Sequence, residues 1–414
     1  MRKSSSTNNS LSFTYRSVIM PRLHFFVLSL FLLALGLVPA RAAMATSAEH
    51  ALLMDGATGQ VLWDKDGFTA MPPASMSKLM TLDLLFQRLK DGRVKLTDTF
   101  PVSERAWRTQ GSKMFVAVGS RISVGDLIRG IIIQSGNDAC VVVAEAVGGT
   151  VEGFVDMMNR RAKELGLRNS HFVNPDGLPD PPGQLMSAYD LAVLARHLAL
   201  DYPGYYHFFS ERQFTWSGIL QPNRNTVLDK FPGADGLKTG HTDAAGYGVT
   251  ASAVHDGHRL ILVLNGLRYP DLDKKSPQQQ DWFGEIRRGE EAARILDMAY
   301  REFRSYQLFK AGEIAGTAQV WGGAKRTVSV TAGKPLAVTM QVDSRPKMTV
   351  TLHYSGPLEA PIAQGQPVGT LTVAAPDFPD MTVPVYAAES VPRAGIFGRI
   401  ILGLRALIAG HLPR

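Results

Sequence analysis

The chain has 414 residues, 45% of them hydrophobic and 20% charged, with a formal net charge of +7; it is long enough for two or three domains and at least one large core. The positive balance suits an anionic surface, but no basic run with interleaved aromatics accompanies it, which argues against nucleic acid as a partner. A single cysteine, Cys140, excludes an internal disulfide and a cysteine-based metal site, and its apolar setting in residues 139–144 predicts a buried structural thiol.

Arg2, Lys3, Arg16 and Arg22 precede the apolar run Phe25–Leu35 and the small-residue site Ala40-Arg41-Ala42. Residues 1–42 are therefore expected to be an export signal cleaved after Ala42, with Met20 as an alternative start. Two short strands follow, around a glycine-containing turn between Leu52 and Trp63. Pro72-Pro73 then introduces an amphipathic helix whose apolar face is Met76, Leu79, Met80, Leu82, Leu84 and Leu85. Ser75 is placed in its first turn, and Lys78, three residues on, shares its side. A second helix is expected near Leu85.

Ser123-x-x-Asp126 predicts a helix start, with apolar periodicity to Ile133. That helix breaks at Gln134-Ser135-Gly136-Asn137-Asp138 and resumes through Val147, leaving a polar turn between two buried helices. Phe154–Leu165 is a further amphipathic helix, Asn174–Pro179 a turn, and Ser187-x-x-Asp190 the start of a helix to about Leu200. Lys238-Thr239-Gly240 sits in a glycine-bounded stretch, and Gly248–Val254 and Arg259–Asn265 read as adjacent strands of one sheet. The polar stretch Tyr269–Arg288 reads as a solvated surface loop, and Glu291–Phe303 as the helix that closes the first domain.

From Val320 to Ala388 the chain becomes rich in Val and Thr with Gly and Pro turns, a small all-β domain assigned to 312–389. In the tail, 391–414, Ile396, Phe397, Ile400, Ile401, Leu404, Leu407 and Ile408 share one arc of a helix. With about 17 residues it would reach roughly 25 Å, short of a bilayer core, so it is expected to lie on the membrane. Arg393, Arg399, Arg405 and Arg414, with no acidic residue among them, favour an anionic leaflet.

A hydroxyl at a positive helix end with an amine one turn away is a nucleophile and base pair in principle. The spacing alone is weak: Ser344-Arg345-Pro346-Lys347 has it too, and there an interior proline forbids helical stacking. Specificity comes from the order of three elements, Ser75-x-x-Lys78, Ser135-Gly136-Asn137 and Lys238-Thr239-Gly240, an established signature of class A β-lactamases and penicillin-binding proteins.

With the extended runs 135–140 and 235–243, the Asn174 turn, the Ser187 helix start, the β domain and the amphipathic tail, the chain resembles the low-molecular-mass penicillin-binding proteins of the type-five group, the D-alanyl-D-alanine carboxypeptidases. Tyr269–Arg288 looks longer than that family usually has. The resemblance implies an α/β (α+β) catalytic domain of the penicillin-recognising transpeptidase and β-lactamase type over 46–308, with helices around a mainly antiparallel sheet. It implies Ser75 as the acyl-ester nucleophile, Lys78 as the proton acceptor and Ser135 as a proton relay. Asn137 would bind the substrate amide, Lys238 and Thr239 its terminal carboxylate, and backbone N–H groups of Ser75 and His241 the oxyanion, with Gly240 between. Arg224 and Arg268 are further carboxylate candidates, and His241 is expected to be structural rather than a proton carrier. Lys78 has to be neutral to act, and burial with the nearby Lys238 would lower its pKa.

The implied substrate is a peptidoglycan stem peptide ending in D-Ala-D-Ala, with β-lactams as covalent inhibitors. The implied location is the periplasmic face of the inner membrane. No cofactor is expected, and no His pair has metal-ligand spacing. A β-lactamase is the nearest rival, but its Glu-x-x-Leu-Asn element has no counterpart, since Glu164-Leu165-Gly166-Leu167-Arg168-Asn169 carries Arg168 where the asparagine should fall. A DD-endopeptidase on the same fold and a catalytically silent wall-binding scaffold are the other readings.

Overall fold

A computed structural model describes residues 8–13 and 44–395. The apolar run and cleavage site of the expected export signal, and the tail helix from residue 396 onward, lie outside the described residues. The chain divides into two units, one ending at Glu302 and one beginning at Phe303. The division precedes the expected end of the first domain at 308, because Phe303–Phe309 pairs antiparallel with Leu336–Gln341 in the second unit.

The first unit is built on five antiparallel strands: β1 (His50–Asp55), β2 (Val61–Lys65), β3 (Ala234–Thr242), β4 (Gly246–His255) and β5 (His258–Leu267), in the order β2-β1-β5-β4-β3. Leu52, Met54, Leu237, Ile261 and Val263 face the main helical core. The alternate residues Leu53, Leu260, Leu262 and Leu264 are equally buried, so both faces of β1 and β5 are covered and these central strands carry continuous apolar runs.

The longer helices are α1 (Lys78–Lys90), α2 (Val124–Ile133), α3 (Asn137–Gly148), α4 (Val151–Glu164), α5 (Ala188–Asp201) and α6 (Pro277–Glu302). Their starts follow side-chain chemistry. The hydroxyls of Ser123, Thr150 and Ser187 accept hydrogen bonds from the backbone N–H of Asp126, Gly153 and Asp190 at 3.1, 2.9 and 3.0 Å, satisfying N–H groups that have no partner inside the helix.

Two expectations need correction. There is no second helix near Leu85: α1 runs unbroken to Lys90, and Leu82, Leu84, Leu85 and Phe86 are all buried within it. The stretch Tyr269–Arg288 is not a surface loop, because α6 starts at Pro277 and continues for 26 residues. Pro277 at the first helical position costs nothing there. Ser276 and Gln279 bond reciprocally, each backbone N–H donating to the other's side chain at 3.3 and 3.4 Å, a capping box.

Behind α1, the fully buried carboxylate of Asp83 accepts from Arg161 of α4 at 2.8 Å and lies 3.1 Å from His197 Nε2 of α5. This pins the helix that carries Lys78 to two neighbours. Arg161→Ala would leave that carboxylate buried without its strongest partner, and breaking such a pair costs about 3 kcal/mol. The expected result is a lower urea midpoint with an unchanged m-value, read by far-UV circular dichroism.

The second unit holds a seven-stranded sheet that includes Thr349–Ser355, Pro367–Ala375 and Phe378–Ala387, with Asn8–Phe13 lying antiparallel along the Thr349–Ser355 edge. Its own core gathers Val328, Val330, Val338, Leu371, Val373 and Val385.

Candidate active site

Ser75 lies in a tight 3₁₀ turn, Ala74–Ser77, that feeds directly into α1. Lys78 is the first residue of α1, and its Nζ donates to Ser75 Oγ at 2.6 Å. It also donates to the backbone carbonyl of Asp176 at 2.5 Å. One residue-turn later, Thr81 donates to the carbonyl of Pro175 at 2.6 Å. The Asn174 turn thus holds the lysine from outside the helix, with Asn174 Oδ1 accepting from the Gly177 N–H at 2.7 Å. Gly177 has φ +85°, and a Cβ there would stand 2.0 Å from the carbonyl oxygen of Ala74, so only glycine allows the turn to seat against the serine.

The second element is the break between α2 and α3. Ser135 adopts a left-handed backbone with φ 58°, an uncommon conformation for a residue with a side chain. Its hydroxyl is buried without a protein partner among the described residues. Asn137 donates from Nδ2 to the Gln110 carbonyl at 2.8 Å, while its Oδ1, also buried, has no protein partner among the described residues. The turn is tied to the preceding loop by Asp138, whose buried carboxylate accepts from the N–H groups of Met114 and Val116 at 2.8 and 3.1 Å.

The third element is edge strand β3. Gly240 approaches the serine turn backbone to backbone, since a Cβ there would stand 2.9 Å from the Pro73 carbonyl and 3.1 Å from Ser75 N. Lys238 is 1% exposed, with its Nζ 3.0 Å from the Thr239 carbonyl. His241 stacks on Tyr247, ring centroids 3.8 Å apart and nearly parallel, and its Nδ1 lies 3.3 Å from Asp281 of α6.

Ser75, Ser112, Ser135, Arg224, Thr239, Gly240, His241 and Tyr247 line one cleft of about 380 Å³, whose remaining wall comes from α6, while Lys78, Asn137 and Lys238 stand behind this lining. Arg224 donates to Ser112 Oγ at 2.7 Å. Arg288, 2% exposed, donates to the backbone carbonyls of Arg224 and Gly240 at 3.1 and 3.4 Å. Arg268 is not in this cleft. Its guanidinium is engaged by Glu49 at 3.1 Å and the carbonyls of Asp243 and Ala244 at 3.0 and 3.1 Å, beside a neighbouring pocket of about 320 Å³. The buried cation that sequence reasoning missed is Arg288, hidden in a stretch read as solvated.

Burial lowers the pKa of Lys78, and the cation that adds to this is Arg224. Lys238 is lowered further, by burial first and then by Lys78, Arg224 and Arg288. Burial also depresses Arg288, although a guanidinium starts high enough to stay charged. Cys140, near Lys78, is pushed up to about 12 by burial, so the thiol is neutral and offers no compensating charge. Asp176 and Asp138 oppose the shift of Lys78, but burial outweighs them, which favours a neutral, hydrogen-bonding Lys78 beside Arg224 and Arg288. A hydroxyl sharing a short bond with a neutral amine, beside backbone N–H groups and buried cations, can attack a carbonyl in a molecule that ends in a carboxylate. Among the described residues no cluster of His, Cys, Asp or Glu could hold a metal ion.

A family model described as D-alanyl-D-alanine carboxypeptidase matches residues 38–267, and one described as penicillin-binding protein 5, C-terminal domain, matches residues 303–393. Residues 268–302, and α6 with them, fall between the two. The D-alanyl-D-alanine carboxypeptidase DacD of Salmonella typhimurium is 36% identical over 400 residues, 92% of this chain and 98% of the relative. Penicillin binding protein 5 from Haemophilus influenzae matches in structure with a TM-score of 0.73 at 33% identity, over 84% of this chain and 98% of that one. Penicillin-binding protein D2 from Listeria monocytogenes in its ampicillin-bound form matches with a TM-score of 0.54 at 25% identity, over 62% and 98%.

Proposed function

Because the chain belongs to the D-alanyl-D-alanine carboxypeptidase family and carries a C-terminal domain of the penicillin-binding protein 5 type, we propose that its cleft removes the terminal D-alanine from peptides ending in D-Ala-D-Ala, through an ester on Ser75. The observation that carries the assignment of the nucleophile is the 2.6 Å bond between Ser75 Oγ and a buried Lys78 Nζ. Ser75 Oγ attacks the carbonyl of the penultimate residue while its proton passes to Lys78. The oxyanion forms against the backbone N–H groups of Ser75 and His241. The C–N bond then breaks, Ser135 relays a proton to the departing amine, and free D-alanine leaves. Water hydrolyses the ester, giving the shortened peptide and restoring the serine hydroxyl. Asn137 Oδ1 is without a protein partner among the described residues and would accept from an N–H of the peptide, Thr239, Arg224 and Arg288 line the cleft where its carboxylate would sit, and Lys238, buried behind that lining, would add its charge from one layer back.

The same cleft is proposed to be acylated by β-lactams, in line with the ampicillin-bound relative. A substrate of this class would put the protein's work at the cell wall. Export through residues 1–42, a periplasmic location and membrane contact through 391–414 belong to this proposal and are supported by the sequence pattern. Among the described residues no helix is long and apolar enough to cross a membrane. Cleavage after Ala42 would also remove Asn8–Phe13 and open the Thr349–Ser355 edge. On this reading Arg268 braces the turn after β3 instead of binding substrate.

The direct test compares a short acylated peptide ending in D-Ala-D-Ala with the same peptide ending in D-alaninamide. An exopeptidase that grips the carboxylate releases D-alanine from the first and leaves the second almost intact. Equal turnover of both would point to endopeptidase action on the same fold.

A further inference from the structure

Asn265 ends the apolar run of β5 and is 2% exposed, yet it belongs to none of the three elements that meet at the cleft. A buried amide in a sheet is costly unless it is bonded, and this one is bonded in a single direction. Its Nδ2 donates to the Pro72 carbonyl at 3.1 Å and lies 2.8 Å from Met71 Sδ, while its Oδ1 has no protein partner among the described residues. The β4–β5 register shifts between Leu264 and Leu267, and such an irregularity re-aims a side chain. Here the amide is turned onto the segment that leads into Ser75.

That segment has little of its own to hold it. Pro72 and Pro73 have no N–H to donate, so the backbone anchor upstream is Met71, paired through both its groups with Met186 at 2.8 and 3.0 Å. Ala74 then takes a left-handed backbone, φ 46°, which a residue with a Cβ adopts at a cost and keeps only where its surroundings enforce it. Downstream, the Met76 N–H reaches back to the Pro73 carbonyl at 3.2 Å. Between these anchors Asn265 takes the Pro72 carbonyl. A side chain from the sheet thus closes the turn that sets the 2.6 Å bond of Ser75 Oγ to Lys78 Nζ.

We propose that Asn265 is a positioning residue for the ester-forming step: its amide fixes the Pro72 carbonyl, and through it the Ala74 turn, where Ser75 Oγ stays on Lys78 Nζ. The inference rests on the carboxypeptidase reading, in which Ser75 is the nucleophile. Asn265 acts through the turn, so its loss falls on the rate of attack and spares the grip on the substrate, which other elements supply.

The experiment follows acylation by a chromogenic β-lactam in stopped flow over a range of drug concentrations, which separates affinity of the first complex from the rate constant of ester formation. Mass spectrometry gives the fraction of sites that react. The proteins are the full chain, Asn265→Ala and Asn265→Asp. Aspartate keeps the size of asparagine but, ionised, faces the Pro72 carbonyl with an acceptor instead of a donor. The rate constant is expected to fall about tenfold in Asn265→Ala and about a hundredfold in Asn265→Asp, with affinity within about threefold and every site still reacting. A packing role would reverse that order, since aspartate conserves the volume that alanine empties. In an Ala74→Gly background, where a left-handed turn carries no Cβ penalty, the Asn265→Ala loss should shrink to about threefold. An unchanged rate constant, the reversed order, a loss that Ala74→Gly leaves as large, or a loss confined to affinity or to the number of reacting sites overturns the inference and leaves Ser75 as the nucleophile. An unmutated chain that forms no ester on Ser75 would overturn the carboxypeptidase reading and the inference with it.

Discussion

Lys78→Met is expected to leave Ser75 in place and reduce its acylation by about a thousandfold, since general-base help is worth about 10²–10⁴ and among the described residues Lys78 is the base bonded to the hydroxyl. Methionine fills much of the same buried volume, so the loss would come from the amine rather than from packing. The two hydrogen bonds of Nζ, to Ser75 Oγ and to the Asp176 carbonyl, disappear together. In the unmutated protein the acylation rate should rise with pH through an inflection below the ordinary lysine range. The sign follows from the chemistry: the active form is the neutral amine, and burial lowers the pKa at which that form appears. Stopped-flow acylation by a chromogenic β-lactam gives the profile. An inflection in the ordinary lysine range would show that Lys78 is protonated in the resting site and is not the base.

Arg288→Ala is expected to lower kcat/KM for a peptide with a free C-terminal carboxylate by about a hundredfold, the loss of a charge-assisted contact in a desolvated site. Turnover of the D-alaninamide peptide, already slow, should change far less, because it offers no anion to the cations. Part of the loss has another origin, since the Arg224 and Gly240 carbonyls also lose their guanidinium donor. Arg288→Lys separates the two: it keeps a positive charge but cannot reproduce the paired donors. Arg268→Ala, outside the cleft, should alter neither substrate's kcat/KM by more than a few fold.

What could be read from the sequence were the features set by local chemistry. The starts of α2 and α5 were legible because Ser123 and Ser187 cap them through Asp126 and Asp190. The run Arg259–Asn265 was legible as a strand because both faces of β5 are buried. The three elements that meet at the cleft were legible because they keep their order and settings, although the sequence alone could not place Ser75 Oγ within reach of Lys78 Nζ. Residues 269–288 were misread for a physical reason. A helix whose polar face lines a cleft has the same composition as a solvated segment, and the apolar pattern that betrays a core helix is absent from it. The Ser276-Pro277-x-Gln279 start was the available signal. Taking that segment for a loop hid Arg288 and left Arg268 as the remaining arginine near the end of the sheet. The Asp176 carbonyl on Lys78 could not have been found, since a backbone contact across 98 residues leaves no mark on residue identity.

The most direct test of the central assignment measures D-alanine release from a D-Ala-D-Ala peptide by the unmutated chain and by Ser75→Ala, alongside mass spectrometry of each after incubation with benzylpenicillin. The account predicts release and one drug adduct, located on Ser75, for the unmutated chain. Ser75→Ala should show neither while keeping the same circular dichroism. Release of D-alanine by Ser75→Ala at a comparable rate, or an adduct on another residue, would contradict it.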